Sequence, residues 1–272
     1  MAMTTGPVPG PRGPGPGSGT VTTTTRPHAE TVLKLARSRL ASPAADEARE
    51  FIALYYDQVD AEDLARRAPE DLYGAALSHL AFARRFSTGL PKLRVYNPRT
   101  EEHGWSSPHT VIEIVNDDMP FLVDSITMEL GRQGCTVHLL VPPLARTRRD
   151  PEGALEAFVA PGEGAAESYI HVEVDRETDP ARLRALGDGL LAVLGDVRAA
   201  VEDWAAMRGR MEEIVKELAR APKGVDGTEA AEVREFLAWV VDNHFTFLGY
   251  RDYQLSNVGG EDMLRIVAGT GL

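Results

Sequence analysis

The chain has 272 residues, 43% hydrophobic and 26% charged, with a formal net charge of −12: the composition of a globular protein of one large domain or two modest ones. The negative charge repels phosphate backbones and anionic lipid, and one cysteine, Cys135, excludes an internal disulfide framework or a multi-cysteine zinc site. No apolar run approaches the roughly 18 residues of a membrane span and no secretory signal opens the chain, so a cytoplasmic protein is expected.

Residues 1–26, dominated by Gly, Pro and Thr, have little to bury against the entropy of ordering and read as a disordered tail. Helical signals follow over 27–90. Leu33, Ala36 and Leu40 share one face from about Pro27. Ser42-Pro43 is a helix start ahead of Phe51, Ile52, Leu54 and Tyr55, and Pro69 opens a helix with Leu72, Ala76, Leu80 and Phe86.

The period changes after Pro91. "KLRVYNP" reads as a short strand, and in "HTVIEIV" Val111, Glu113 and Val115 alternate with Ile112 and Ile114. Pro120 begins a helix with Leu122, Ile126 and Leu130 on one stripe, closed by Gly131 and Gly134. "CTVHLLV" is the next strand. Asp150-Pro151-Glu152-Gly153 carries the residues of a β-turn and predicts a hairpin. In "SYIHVEV", Ile170, Val172 and Val174 line one face. Asp179-Pro180 caps a helix with Leu183, Leu186, Leu190 and Leu194, and "VRAAVEDW" reads as a closing strand. This order is β-α-β-β-α-β, an α+β, ferredoxin-like sandwich with a hairpin insertion and two helices on one face of the sheet. A helical linker follows over 204–243, where Trp204, Met207, Met211 and Leu218 form a narrow seam and Thr228 starts a second helix. "FTFLGYRDYQL" begins a further β unit, over 244–272, that is not completed, as in a piece of something longer.

The loop "VNDDMPFLVDS" holds the candidate site. Acidic residues at a helix start stabilise by about 0.3–1 kcal/mol, so Asp117 and Asp118 fit capping roles. The alternative is a small-ligand site: backbone donors at the helix start take a carboxylate, and Asn116, Asp117 or Asp118 takes an ammonium, the two groups of an amino acid. Elsewhere, His138 and His171 fall on neighbouring strands on the sheet's open side and lack a third metal ligand. Arg146, Arg148 and Arg149 flank a solvated hairpin. "HGW" at 103–105 reads as a packing anchor, and "GTGL" has no helix after it to make a phosphate loop. The sequence holds no G-x-G-x-x-G between strand and helix, no Walker loop, no G-x-S-x-G and no H-E-x-x-H. No catalytic constellation, bound cofactor or metal site is therefore expected in this chain.

The pattern Asp118-x-Pro120-x-Leu122, followed by Ile126, Leu130, Gly134 and Val137, resembles the ACT domain, a βαββαβ module that commonly binds amino acids and controls enzymes. The longer string "GWSSPHTVIEIVNDDMPFLVDSIT", with "RRDPEG", "ESYIHVEV" and "HFTFLGYRDYQL", is similar to the N-terminal part of large bacterial NAD-specific glutamate dehydrogenases, from about Leu93 to Tyr253. The resemblance implies an ACT-like domain over 91–203 and the start of a second ACT-like unit from 244. It implies a regulatory and assembly region of an oligomeric enzyme, whose distant catalytic region uses NAD to deaminate L-glutamate to 2-oxoglutarate and ammonium. It also implies an effector loop of Asn116, Asp117, Asp118, Pro120, Phe121 and Ser125. One position departs: many amino-acid-binding ACT domains carry Gly after the proline, and here Phe121 stands, where its bulk fills or lines the pocket. A free-standing amino-acid sensor and a bare oligomerisation module are the alternative readings.

Overall fold

The computed structural model of the protein describes residues 27–39, 44–220 and 226–272. The expected disordered tail and the Ser42-Pro43 helix start lie outside these residues. Four helices come first: α1 (Pro27–Arg39), α2 (Ala44–Tyr55), the short α3 (Ala61–Ala65) and α4 (Pro69–Ala83). The Asp60 side chain caps α3 by accepting from the Glu62 amide, a one-turn element too short for a periodic pattern to reveal. Pro69 sits in the first turn of α4, where its missing N–H costs nothing.

The sheet is antiparallel throughout. Strand β1 (Lys92–Tyr96) lies beside β2 (Thr110–Asp117), with the one-turn α5 (Thr100–His103) between them in sequence. Helix α6 (Leu122–Arg132) leads to β3 (Val137–Val141) and β4 (Leu144–Arg149), and β5 (Leu155–Phe158) completes the hairpin. The long β6 (Ala165–Val174) pairs with β2 on one edge, and with both β3 and β4 on the other. Pro142 and Pro143 interrupt what would be one strand, since neither has an N–H for the ladder, and Pro143 still accepts from the Tyr169 amide at 2.9 Å.

Helix α7 runs from Pro180 to Glu202, and this corrects the expected closing strand. Residues 197–202 continue the helix, because Leu186, Leu190, Leu194 and Val197 repeat at helical spacing and bury one stripe. Over so short a span a strand period also fits, and the buried stripe decides for the helix. The edge beside β2 is instead taken by β1, which precedes the unit in sequence. After α7 come α8 (Trp204–Glu217), α9 (Gly227–Trp239), a π-type turn at Val240–His244, and the hairpin of β7 (Gly249–Val258) and β8 (Glu261–Gly271).

Both faces of the sheet are covered. Ile112, Ile114, Ile170, Val172 and Val174 pack against α6 and α7 through Leu122, Ile126, Leu130, Leu186, Leu190 and Leu194. The opposite face, expected to be open, carries α1, α2 and α4: Phe51, Tyr55, Ala76 and Leu80 share a core with Val115, Val141 and Tyr169. Helices α1, α2 and α4 are thus bound to the sheet through a common core.

That second face is polar as well as apolar. Glu113, Glu167, His171 and Glu173 are all nearly inaccessible, and a buried carboxylate persists only when paired. Arg94 and the Tyr96 hydroxyl both donate to Glu113, at 2.7 and 2.8 Å. Arg149 holds Glu167 through two bonds of 2.6 and 2.7 Å, and Arg67 meets Glu173 at 3.0 Å. His79, fully buried on α4, lies 3.2 Å from the Ile114 carbonyl by Nε2 and 2.9 Å from the Tyr55 hydroxyl by Nδ1. A carbonyl only accepts, so Nε2 carries the proton and Nδ1 accepts from Tyr55. Burial, with His171 nearby, keeps this imidazole neutral.

Two predictions follow from the packing. Gly74→Ala sets a Cβ 2.3 Å from the Trp105 Cβ and is expected to cost about 1–3 kcal/mol by urea denaturation. Gly189→Ala meets only the flexible ends of Glu129 and Gln133, and with better helix propensity it should stay within about 1 kcal/mol of the parent. For Glu173, burial alone raises the pKa, but hydrogen bonds and charge from His171 and Arg67 outweigh it and hold the carboxyl at about 2, against an ordinary 4.5. A depressed folded-state pKa stabilises above the unfolded value, and that contribution is lost as pH falls from about 4.5 toward about 2. Glu173→Gln should lower stability at pH 7 and flatten its acid dependence across that window, measured by urea midpoints against pH.

Candidate functional site

The loop between β2 and α6 is built by the end of a fully buried strand. β2 is inaccessible from Thr110 to Asn116, and the ladder to β6 extends one step further as the Asp118 amide donates to the Ala166 carbonyl at 3.0 Å. The chain then turns through Met119 and Pro120, and α6 starts at Leu122 rather than at Pro120.

Neither aspartate caps α6. Asp117 accepts from the Gly89 amide at 2.8 Å and from the Arg198 guanidinium. Arg198 also reaches the Asn116 side-chain carbonyl at 3.4 Å, and Asn116 donates to the Asp117 carbonyl at 2.8 Å. Asp118 accepts from the Ser168 hydroxyl at 2.8 Å. Asn116, Asp117 and Asp118 therefore tie β2 to α7, to β6 and to the connection after α4. Arg198 was invisible as a partner while 197–204 read as a strand; its i,i+4 pairing with Glu202 is the helical signal that would have found it.

The outer part of the loop is different. The N-cap residue of α6 is Phe121, whose side chain makes no capping bond and whose backbone is left-handed at φ 72°, ψ −1°. A side chain with a Cβ pays about 1–2 kcal/mol there, which glycine avoids. Phe121 thus holds a backbone form that favours glycine, and its ring is about half exposed. It borders an apolar groove of about 660 Å³ between α6 and α7, with Ser125, Met128, Val193, Val197 and Leu248 on the walls.

The remaining candidates are dispersed. His138 pairs with Asp175 at 2.7 Å on the surface, whereas His171 is buried under the helical layer, which corrects its placement on an open side. Arg149 is a buried partner of Glu167 rather than part of a solvated patch; Arg146 and Arg148 are on or near the surface of the hairpin. Trp105 is buried against α4, as an anchor should be. Among the described residues no cluster of three or more His, Cys, Asp and Glu side chains could hold a metal ion, and no helix is long and apolar enough to cross a membrane.

A protein-family profile described as glutamate dehydrogenase, ACT1 domain, matches residues 51–190. The chain belongs to this glutamate dehydrogenase family. The ACT1 match begins inside α2 and ends inside α7, so it takes in α3 and α4 as well as the sheet, and leaves α1 outside. The chain is 43% identical over 233 residues to the NAD-specific glutamate dehydrogenase of Halomonas elongata, and 37% identical over 229 residues to that of Pseudomonas aeruginosa. These alignments cover 84% and 81% of this chain but only 14% of either relative. The Mycobacterium tuberculosis NAD-specific glutamate dehydrogenase is 26% identical over 179 residues, 64% of the chain and 11% of the relative.

Arg198→Met leaves the half-buried carboxylate of Asp117 without its cation, and a loss of roughly 1–3 kcal/mol is expected. Phe121→Gly relieves the left-handed strain and should leave stability unchanged or raised by up to about 1 kcal/mol. Both are read as shifts in the urea midpoint.

Proposed function

We propose that this chain is the N-terminal regulatory and assembly region of a large NAD-specific glutamate dehydrogenase and has no activity of its own. In this reading a region beyond the chain oxidatively deaminates L-glutamate to 2-oxoglutarate and ammonium, with reduction of NAD. The observation that carries it is the 14% share of the enzymes it matches, together with a loop in which Asp117 and Asp118 bond to the fold's own groups.

The sheet order supports a ferredoxin-like, ACT-type sandwich in which β1 takes the edge that a strand after α7 would fill. The β7–β8 hairpin supports the start of a second unit after a helical linker. Tyr253, Leu255, Leu264 and Ile266 on it are each more than half exposed, and a two-stranded hairpin with such a surface needs another layer against it. Its partners in this reading are the remainder of the dehydrogenase chain and further copies in a cytoplasmic oligomer. An amino-acid effector at the loop would meet Pro120, Phe121 and Ser125, the members not committed to internal side-chain bonds.

The purified chain is expected to form no NADH from L-glutamate and NAD, followed at 340 nm; any turnover dependent on the chain overturns the proposal. Calorimetry with a panel of amino acids separates the sensor reading. Saturable heat that disappears in Phe121→Ala would support an effector at the loop, and flat isotherms would leave assembly as its role.

A further inference from the structure

The groove headed by Phe121 is built from one stripe of each of two helices. Its α6 wall carries Phe121, Ser125, Met128 and Arg132, and its α7 wall Val193, Val197 and Ala200, both sets stepping by three and four residues. From Phe121 to Arg132 a helix rises about 16 Å at roughly 1.5 Å per residue, so the groove runs for about three turns. Beside Phe121 lies a further hollow of about 360 Å³, walled by Trp204, Phe245 and Phe247. Phe121 and Ala200 line both, so hollow and groove adjoin.

This surface is apolar and uncovered. Met128 is 75% exposed, Phe245 57% and Leu248, on the groove wall, 52%. A contiguous apolar patch rimmed by polar residues marks an interaction site, and Met and aromatic side chains are the usual anchors of one. Backbone strain gathers at the same place. Among the described residues Phe121 and Asn243 are the non-glycine residues at positive φ, and both line the aromatic hollow. Such strain persists only where the surrounding structure holds it, and it clusters at ligand clamps and switches.

Charge selects the occupant. Asp124 stands on the α6 wall and Asp196 on the α7 wall, both exposed, and among the described residues neither has an ion-pair or hydrogen-bond partner. Glu129, the groove's other carboxylate, is held by Arg132 through two bonds of 2.7 Å. An unpaired negative charge on each wall of an apolar groove fits an apolar helical stripe flanked by cations on both sides. A second copy fits badly, because two-fold pairing through the groove sets these aspartates against each other in a chain of net charge −12. Nor does α8 of another copy supply the cations, since Arg208 is engaged by Glu212, and Arg210 by Glu213, Glu217 and Asp252.

We propose that the α6–α7 groove docks a basic amphipathic helix of a partner protein. Its apolar stripe lies along Met128, Val193 and Val197, one anchor residue enters the hollow at Phe245, and Lys or Arg side chains meet Asp124 and Asp196. The test uses residues outside the effector set of the β2–α6 loop and reads no enzyme activity.

The probe is a fluorescein-labelled peptide of leucine and lysine, about 14 residues or four turns long, with leucines on one helical face. It is titrated with the 272-residue chain by fluorescence anisotropy. A saturable rise is expected, and it should weaken as salt is raised, because exposed charge pairs are screened. Met128→Gln keeps the charge and changes an exposed side chain on a helix, and it should bind roughly ten-fold more weakly. Asp124→Asn with Asp196→Asn should weaken binding several-fold. A peptide with glutamate for each lysine, and one of scrambled order, should each bind at least roughly ten-fold more weakly. No saturable rise, equal binding of either control peptide, or an unchanged affinity in Met128→Gln overturns the proposal. So does a dimer by light scattering that Met128→Gln returns to monomer, since a second copy would then cover the groove.

Discussion

The structure depends on pairing the carboxylates of one sheet face with arginines that also hold the helical layer. Glu113, Glu167 and Glu173 stand on β2 and β6 and are buried when α1, α2 and α4 close over them. Each partner reaches past its glutamate. Arg94 also donates to the Ser78 carbonyl at 3.0 Å, and Arg149 to the Ala83 carbonyl at 3.0 Å, both on α4. Arg67 comes from the helical side itself. Such pairs contribute little net stability against the desolvation of their charges, but breaking one leaves a charge stranded, at about 3–5 kcal/mol. They therefore fix where the helices sit on the sheet more than they drive the folding. The apolar contacts of Phe51, Tyr55 and Leu80 supply the driving force.

The same constraint explains the edge strand. Arg94 lies on β1, in register opposite Glu113 on β2, so the segment before the unit is held to that edge by charge as well as by the ladder. With the edge occupied, residues 197–202 are free to continue α7. That extension brings Arg198 over the β2–α6 loop, where it meets Asp117 and Asn116. The loop is thereby locked to a helix on one side of the sheet while the sheet is locked to helices on the other. Within this frame the strained residue is Phe121, in a conformation that costs energy and places its ring at the head of a surface groove.

Much of the fold was legible where a single period ruled. The alternation of Ile112 and Ile114, and of Ile170, Val172 and Val174, identified the face against α6 and α7, and Leu122, Ile126 and Leu130 identified the stripe opposing it. The turn at Asp150–Gly153 is formed by its expected chemistry, with the Gly153 amide donating to the Asp150 carbonyl at 3.0 Å. Residues 197–202 were misread because two periods fit them equally over so short a span. The covering of the second face was missed for a different reason. Polar residues alternating with apolar ones signal a solvated face, and nothing local distinguishes a glutamate facing water from one facing an arginine 106 residues away in sequence.

The sequence by itself determined the nature of the elements, the apolar stripes and the family likeness, because these rest on residue spacing along one segment. Tertiary structure decided the partners. Asp117 and Asp118 read as helix caps or ligand groups, and the fold spends them on Arg198, Gly89 and Ser168. His171 read as a surface histidine, and the fold buries it with one nitrogen unpaired. A hydrogen bond or an ion pair is a matter of about 3 Å between atoms, and that distance is set by how whole layers pack.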